Sequence, residues 1–199
     1  MTSIEDAGAG VDADASTAVP EIISAGAALS GCPSGGFRGQ NWSWRNFSND
    51  PTMSSSNFCG ATIEGTRFSD SVLDSSTFYG ATANYAWFER AQLTGCDFYG
   101  ATVNDAHFLA VDMTGCRCYG ATMGRSDFRG AKLNNVVFYG ANVSGSSFAG
   151  ADLSNARLTG ADFRNTDLRG SNLCGTERTG TDFRGAVCDP LTRCRPAGC

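Results

Sequence analysis

"ADLSNARLTGADFRNTDLRGSNLCG", residues 151–175, repeats one five-residue unit five times. Leu153, Leu158, Phe163, Leu168 and Leu173 recur at every fifth position, and Ala151, Ala156, Ala161, Thr166 and Ser171 stand two residues before them. The spacing extends upstream to Met53 and downstream to Cys188 without a break, and of its 28 large positions 27 are apolar, Arg178 being the exception. A longer period lies over it. "FYGA" begins at Phe78, Phe98 and Phe138, with "CYGA" at Cys118 and "FCGA" at Phe58, so identity also returns every 20 residues.

Five residues fit neither common element. In a helix five steps turn about 500°, which would carry the apolar stripe around the cylinder. In a strand an odd step throws successive large residues onto opposite faces. Each unit must therefore contain its own turn, and if four units close one circuit, residues 20 apart lie directly above one another. On that reading the first side buries Met53, Leu73, Leu93, Met113, Leu133, Leu153 and Leu173. The second holds Phe58, Phe78, Phe98, Cys118, Phe138, Leu158 and Arg178, and the third Ile63, Ala83, Val103, Met123, Val143, Phe163 and Phe183. The fourth carries Phe68, Phe88, Phe108, Phe128, Phe148, Leu168 and Cys188. Rings dominate two opposite sides and smaller groups the other two, which suits close packing of a narrow interior.

The opening stretch resembles the pentapeptide-repeat family, with its consensus A(D/N)LXX, and the match runs from 53 to 188. The resemblance implies an all-β fold, a right-handed quadrilateral parallel β-helix of about seven to eight coils. At strand spacing seven coils make a rod about 34 Å long. Units around Phe37, Trp42 and Phe47 precede the main run one residue out of step. The expected organisation is an acidic tail and N-terminal cap over 1–34, a solenoid over 35–188 and a C-terminal tail or cap over 189–199. A short helix over 20–29 is expected to cover the first coil.

Twenty acids against 15 bases give a net charge of −5, but residues 1–36, which hold five acids and no base, carry all of that excess. The run 53–188 has 13 acids interleaved with 11 bases, so neither an acidic nor a basic stripe can be drawn, and no direct nucleic-acid contact is expected. No apolar run reaches the length of a membrane span, and the start lacks the basic region of a secretory signal, so no membrane contact and a cytoplasmic location are expected. "LSGC" at 29–32 resembles a lipoprotein cleavage box, but Glu21 interrupts the apolar run before it.

Nine cysteines show no disulfide framework: Cys96, Cys116 and Cys118 read as reduced core fillers, and the late cluster Cys174, Cys188, Cys194 and Cys199 lacks metal-ligand spacing. The single histidine, His107, falls at an outward position. No nucleophile, carboxylate pair or phosphate loop stands out, so neither catalysis nor a cofactor or metal is expected. Arg178 is expected at the C-terminal opening, with its head in water.

Two surface features could serve a partner. Tyr79, Tyr99, Tyr119 and Tyr139 each follow the large residue of the second side and should form a ladder of rings, which either stabilises its own sheet or anchors a protein partner. The family resemblance implies the other: some relatives bind gyrase or topoisomerase IV as DNA-shaped rods and confer resistance to inhibitors, for which the acids Asp152, Asp162 and Asp167 would be the contacts. The neutral rod and the ending "CDPLTRCRPAGC" favour a general interaction or structural rod, whose partner and oligomeric state are left open.

Overall fold

The computed structural model describes residues 35–197, and the expected helix over 20–29 lies outside them. The described residues form no helix, and their pairing consists of single parallel bridges. From Asn57 to Val187 each bridge joins residues 20 apart, always the residue before a large one, so four ladders alternate along the chain. Thr77, Asp97, Arg117 and Val137 belong to one ladder; Thr82, Thr102 and Thr122 to the next; Trp87, His107 and Asp127 to the third; Gln92, Asp112 and Lys132 to the fourth.

The turn required by the five-residue period is visible in the backbone. All 27 positions at multiples of five from Ser55 to Gly185 have positive φ, and 16 of them are glycine. Ala101 N–H donates to the Phe98 carbonyl at 3.0 Å across such a corner, with Gly100 at φ +61° in the position a type II turn reserves for that conformation. The other backbone groups bond between coils: Phe98 N–H donates to the Arg117 carbonyl (2.7 Å), Arg117 N–H to that of Cys96 (2.9 Å), and Gly100 N–H to that of Tyr119 (2.9 Å).

One N–H per unit remains, that of the residue after the large one. Where Asp or Asn precedes the large residue, its carboxylate or amide oxygen accepts that bond: Tyr99 N–H donates to Asp97, Ser144 N–H to Asn142 and Cys174 N–H to Asn172. This local bond is the physical reason for the acid or amide in the repeat.

Inside, two phenylalanine stacks run along the axis. Phe47, Phe68, Phe88, Phe108, Phe128 and Phe148 stack at 4.7–5.5 Å, nearly parallel. Phe37, Phe58, Phe78 and Phe98 do the same opposite them, and the two meet edge-on, as at Phe78 and Phe88 (5.8 Å, 90°). These are the edge-to-face and offset geometries aromatic quadrupoles favour. The large residues from Met53 to Leu173 are buried. Arg178 is exposed at the C-terminal end, its guanidinium donating to the Cys194 carbonyl at 3.0 Å.

Both ends change register. Asn41 pairs with Thr62 and Asn46 with Arg67, a step of 21 that seats Phe37 on Phe58 and Phe47 on Phe68. At the other end Asn172 pairs with Arg193, so the described residues after Cys188 contribute to the stack. Asp189 seats it, accepting the Gly170 N–H at 2.8 Å, while the Thr192 hydroxyl donates to the Leu168 carbonyl at 2.9 Å.

The cysteines add to the sequence reading, which leaves the redox state of the C-terminal ones open. Cys96, Cys116 and Cys118 are free and buried as expected, the first two donating S–H to the Leu73 and Leu93 carbonyls. Cys174 and Cys194, however, form a disulfide with a Cα–Cα distance of 5.0 Å, and Cys59 and Cys188 are disulfide-bonded as well. Disulfide partners need Cα atoms about 4.4–6.8 Å apart, a distance that stacked coils supply between residues 20 apart and that short-motif reading does not see.

Candidate functional surfaces

Tyr79, Tyr99, Tyr119 and Tyr139 come together as the sequence predicts. Each sits at the first residue of a corner, where the backbone turns its side chain out of the core. Tyr79 and Tyr99 stack at 5.0 Å and 4°, whereas Tyr99–Tyr119 and Tyr119–Tyr139 lie at 6.1 and 5.9 Å and tilt by 31° and 39°. Tyr99 and Tyr139 are 48% and 52% exposed, so their rings are available beyond their own stack. On one side of them runs the threonine row Thr82, Thr102 and Thr122, and on the other the ladder Thr77, Asp97, Arg117 and Val137, where Arg117 pairs with Asp97 at 2.6 Å.

The acids Asp152, Asp162 and Asp167 do not form a free anionic surface. Each accepts the N–H two residues on, from Ser154, Arg164 and Arg169. Asp162 and Asp167 are also gripped by both ends of a guanidinium fork, from Arg164 and Arg169, at 2.6–2.9 Å. Those arginine bonds hold the two carboxyls below the usual carboxylate range. Partial burial pushes Asp152 up, but its bonds from Ser154 and Asn172 outweigh that and leave it lowered. The pattern is general: Asp70, Asp97 and Asp105 pair with Arg90, Arg117 and Arg125 one coil on.

A second aromatic surface, not singled out in the sequence, lies between the third and fourth sides. Trp44, 74% exposed, lies over Gly65, where a Cβ would fall 2.3 Å from indole carbons. Tyr85, one coil further at the same corner, is 53% exposed. Both hold positive φ (64° and 60°), a conformation costly for a bulky side chain. In the adjacent ladder the Arg67 guanidinium sits 5.9 Å over the Trp87 ring, and Trp87 stacks on His107 at 3.9 Å. His107 is thus part of a ring stack. Trp44 escapes a search by twenties because the N-terminal step is 21; Tyr85 could have been found by asking which corners lack glycine.

Among the described residues no group of His, Cys, Asp and Glu is arranged to hold a metal ion, and no helix is long and apolar enough to cross a membrane. A family profile described as pentapeptide repeats matches eight copies over residues 53–84, 78–108, 91–130, 112–150 and 151–187. The chain belongs to the pentapeptide-repeat family. Solved pentapeptide-repeat structures resemble it at low identity. Full-length QnrB1, described as a plasmid-mediated fluoroquinolone resistance protein, is 17% identical over 76% of this chain and 92% of its own, with a TM-score of 0.31. HetL from Nostoc sp. strain PCC 7120, described as involved in heterocyst differentiation regulation, is 22% identical over 76% and 89%, with a TM-score of 0.24. Rfr23 from Cyanothece 51142 is 22% identical over 69% and 89%, with a TM-score of 0.33. No curated protein matches the chain.

Proposed function

We propose that this pentapeptide-repeat protein is a non-catalytic interaction rod, a right-handed solenoid of seven to eight coils that engages a protein partner through Tyr79, Tyr99, Tyr119 and Tyr139. The observation that carries this reading is the half-exposure of Tyr99 and Tyr139 in a continuous ladder of rings, while the rings inside the rod are sealed. Rigid aromatic side chains anchor interfaces at low entropic cost. Topoisomerase protection would instead draw on Asp152, Asp162 and Asp167, and the engagement of these acids by turn N–H groups and arginines works against it.

The test compares the parent with Tyr99→Ser/Tyr119→Ser in two assays. The double variant should melt within a few degrees of the parent, since each cross-coil pair contributes about 0.2–1 kcal/mol, and should lose a partner that the parent retains. Relief of quinolone inhibition of gyrase supercoiling by the parent, unchanged in the tyrosine variant, would replace this reading with topoisomerase protection.

A further inference from the structure

The oxidised cysteines are not scattered. Cys174 and Cys194 bridge the last coil to the one before it, and Cys188 lies in the same terminal region. Cys59 lies at the other end, in the first coil of unbroken 20-residue register, where Gly39 N–H donates to its carbonyl at 2.9 Å. The three cysteines in the middle, Cys96, Cys116 and Cys118, are free and wholly buried. This division follows the mechanics of a stack: an inner coil is held from both sides and a terminal coil from one, so opening begins at the ends.

Without the bridge little holds the last segment. Its anchors are the Asn172–Arg193 pairing, the Asp189 bond to Gly170 N–H, the bond from the buried Thr192 hydroxyl to the Leu168 carbonyl and the Arg178 bond to the Cys194 carbonyl. Most of its side chains are exposed, Leu191 to 74%. A bridge between adjacent coils acts where such weak packing leaves the chain open to fraying.

We infer that the C-terminal coil of the rod is locked covalently in an oxidising compartment, and that reduction releases it while the phenylalanine core stays folded. Forming the Cys174–Cys194 bond removes two electrons and two protons from the two thiols. An oxidised dithiol catalyst accepts them, its own disulfide being reduced as the mixed disulfide resolves. The compartment differs from the cytoplasmic location expected from the N-terminal composition, because structural disulfides persist where thiols are not kept reduced.

The experiment uses the full chain, expressed in an oxidising compartment and purified without reductant. Alkylation after denaturation, read by peptide mass spectrometry, should label Cys96, Cys116 and Cys118 and leave Cys174 linked to Cys194. Limited trypsinolysis of the native protein, with and without dithiothreitol, should cleave after Arg193 about tenfold faster when reduced, while far-UV circular dichroism is unchanged. Cys174→Ser/Cys194→Ser should show the faster cleavage without reductant. Labelling of Cys174 and Cys194 without reductant, or equal cleavage in the reduced and oxidised parent, would overturn the inference; so would loss of the whole fold on reduction.

Discussion

Replacing Phe108 by alanine removes the ring best placed to report on the stack. Phe108 is fully buried, lies between Phe88 at 5.0 Å and Phe128 at 4.7 Å with both faces covered, and meets Phe98 edge-on at 6.4 Å. Truncating a buried phenylalanine costs about 3–5 kcal/mol, and with partners locked above and below the cavity has little room to collapse, so the upper half of that range applies. At roughly 2–4 °C per kcal/mol for a chain of this size, the melting midpoint should fall by about 8–20 °C. The internal control is Phe183→Ala near the end, where the ring is half-buried and touches Phe163 at 5.4 Å and 41°; it should cost about half as much. Thermal melts by circular dichroism on the parent and both variants decide it. An F108A midpoint within about 2 °C of the parent, or a larger loss in F183A, would refute the stacked-core account.

Four further outcomes are expected. Gly65→Ala should destabilise because its Cβ would meet the Trp44 ring, and Trp44→Ala should recover part of the loss in a double-mutant cycle of melting midpoints. Tyr85→Gly should gain about 1 kcal/mol in chemical denaturation, since Tyr85 holds φ 60° where glycine is unstrained. Asp127, Asp162 and Asp167 are lowered, and Asp182 is lowered to about 2, first by their arginine bonds; such groups stabilise the fold above their unfolded value and lose that contribution as pH falls through the depressed one. Melting midpoints should therefore be level above about pH 5 and fall between about pH 4 and 2, and a midpoint rising over that window would contradict the pairing. Burial raises the Cys96, Cys116 and Cys118 thiols, so maleimide labelling of the native protein at neutral pH should track global unfolding, and rapid labelling would place these thiols at the surface.

The interior was legible because one rule governs it. A large residue every five positions leaves a single arrangement that buries them all, which is how Phe58 to Leu173, the offset units at Phe37, Trp42 and Phe47, and the outlying Arg178 could be placed from spacing. The surface obeys no such rule. Asp162 and Asp167 could be read as free anions because their arginines stand two residues along, where only the turn brings carboxylate and guanidinium together. The signal was present as D-x-R at Asp127, Asp162, Asp167 and Asp182. Cys174 and Cys194 lie 20 apart, the very period of the stack, yet the late change of register hid their correspondence. The tyrosine ladder was visible in "FYGA", whereas its tilts, and hence the exposed ring area, depend on neighbours that periodicity does not specify.

The central claim is that residues 20 apart lie one above the other on four sides, and engineered cysteines test it most directly. Thr94 and Thr114 follow Leu93 and Met113, the corner position that Cys174 occupies after Leu173 further along the same side. The variant T94C/T114C should form the engineered disulfide on mild oxidation without loss of helix-free secondary structure, seen by non-reducing peptide mapping and circular dichroism. The control T94C/L109C, 15 residues apart, places its thiols on different sides and should stay unlinked. A bridge in the control, with none between positions 94 and 114, would contradict the four-sided stack.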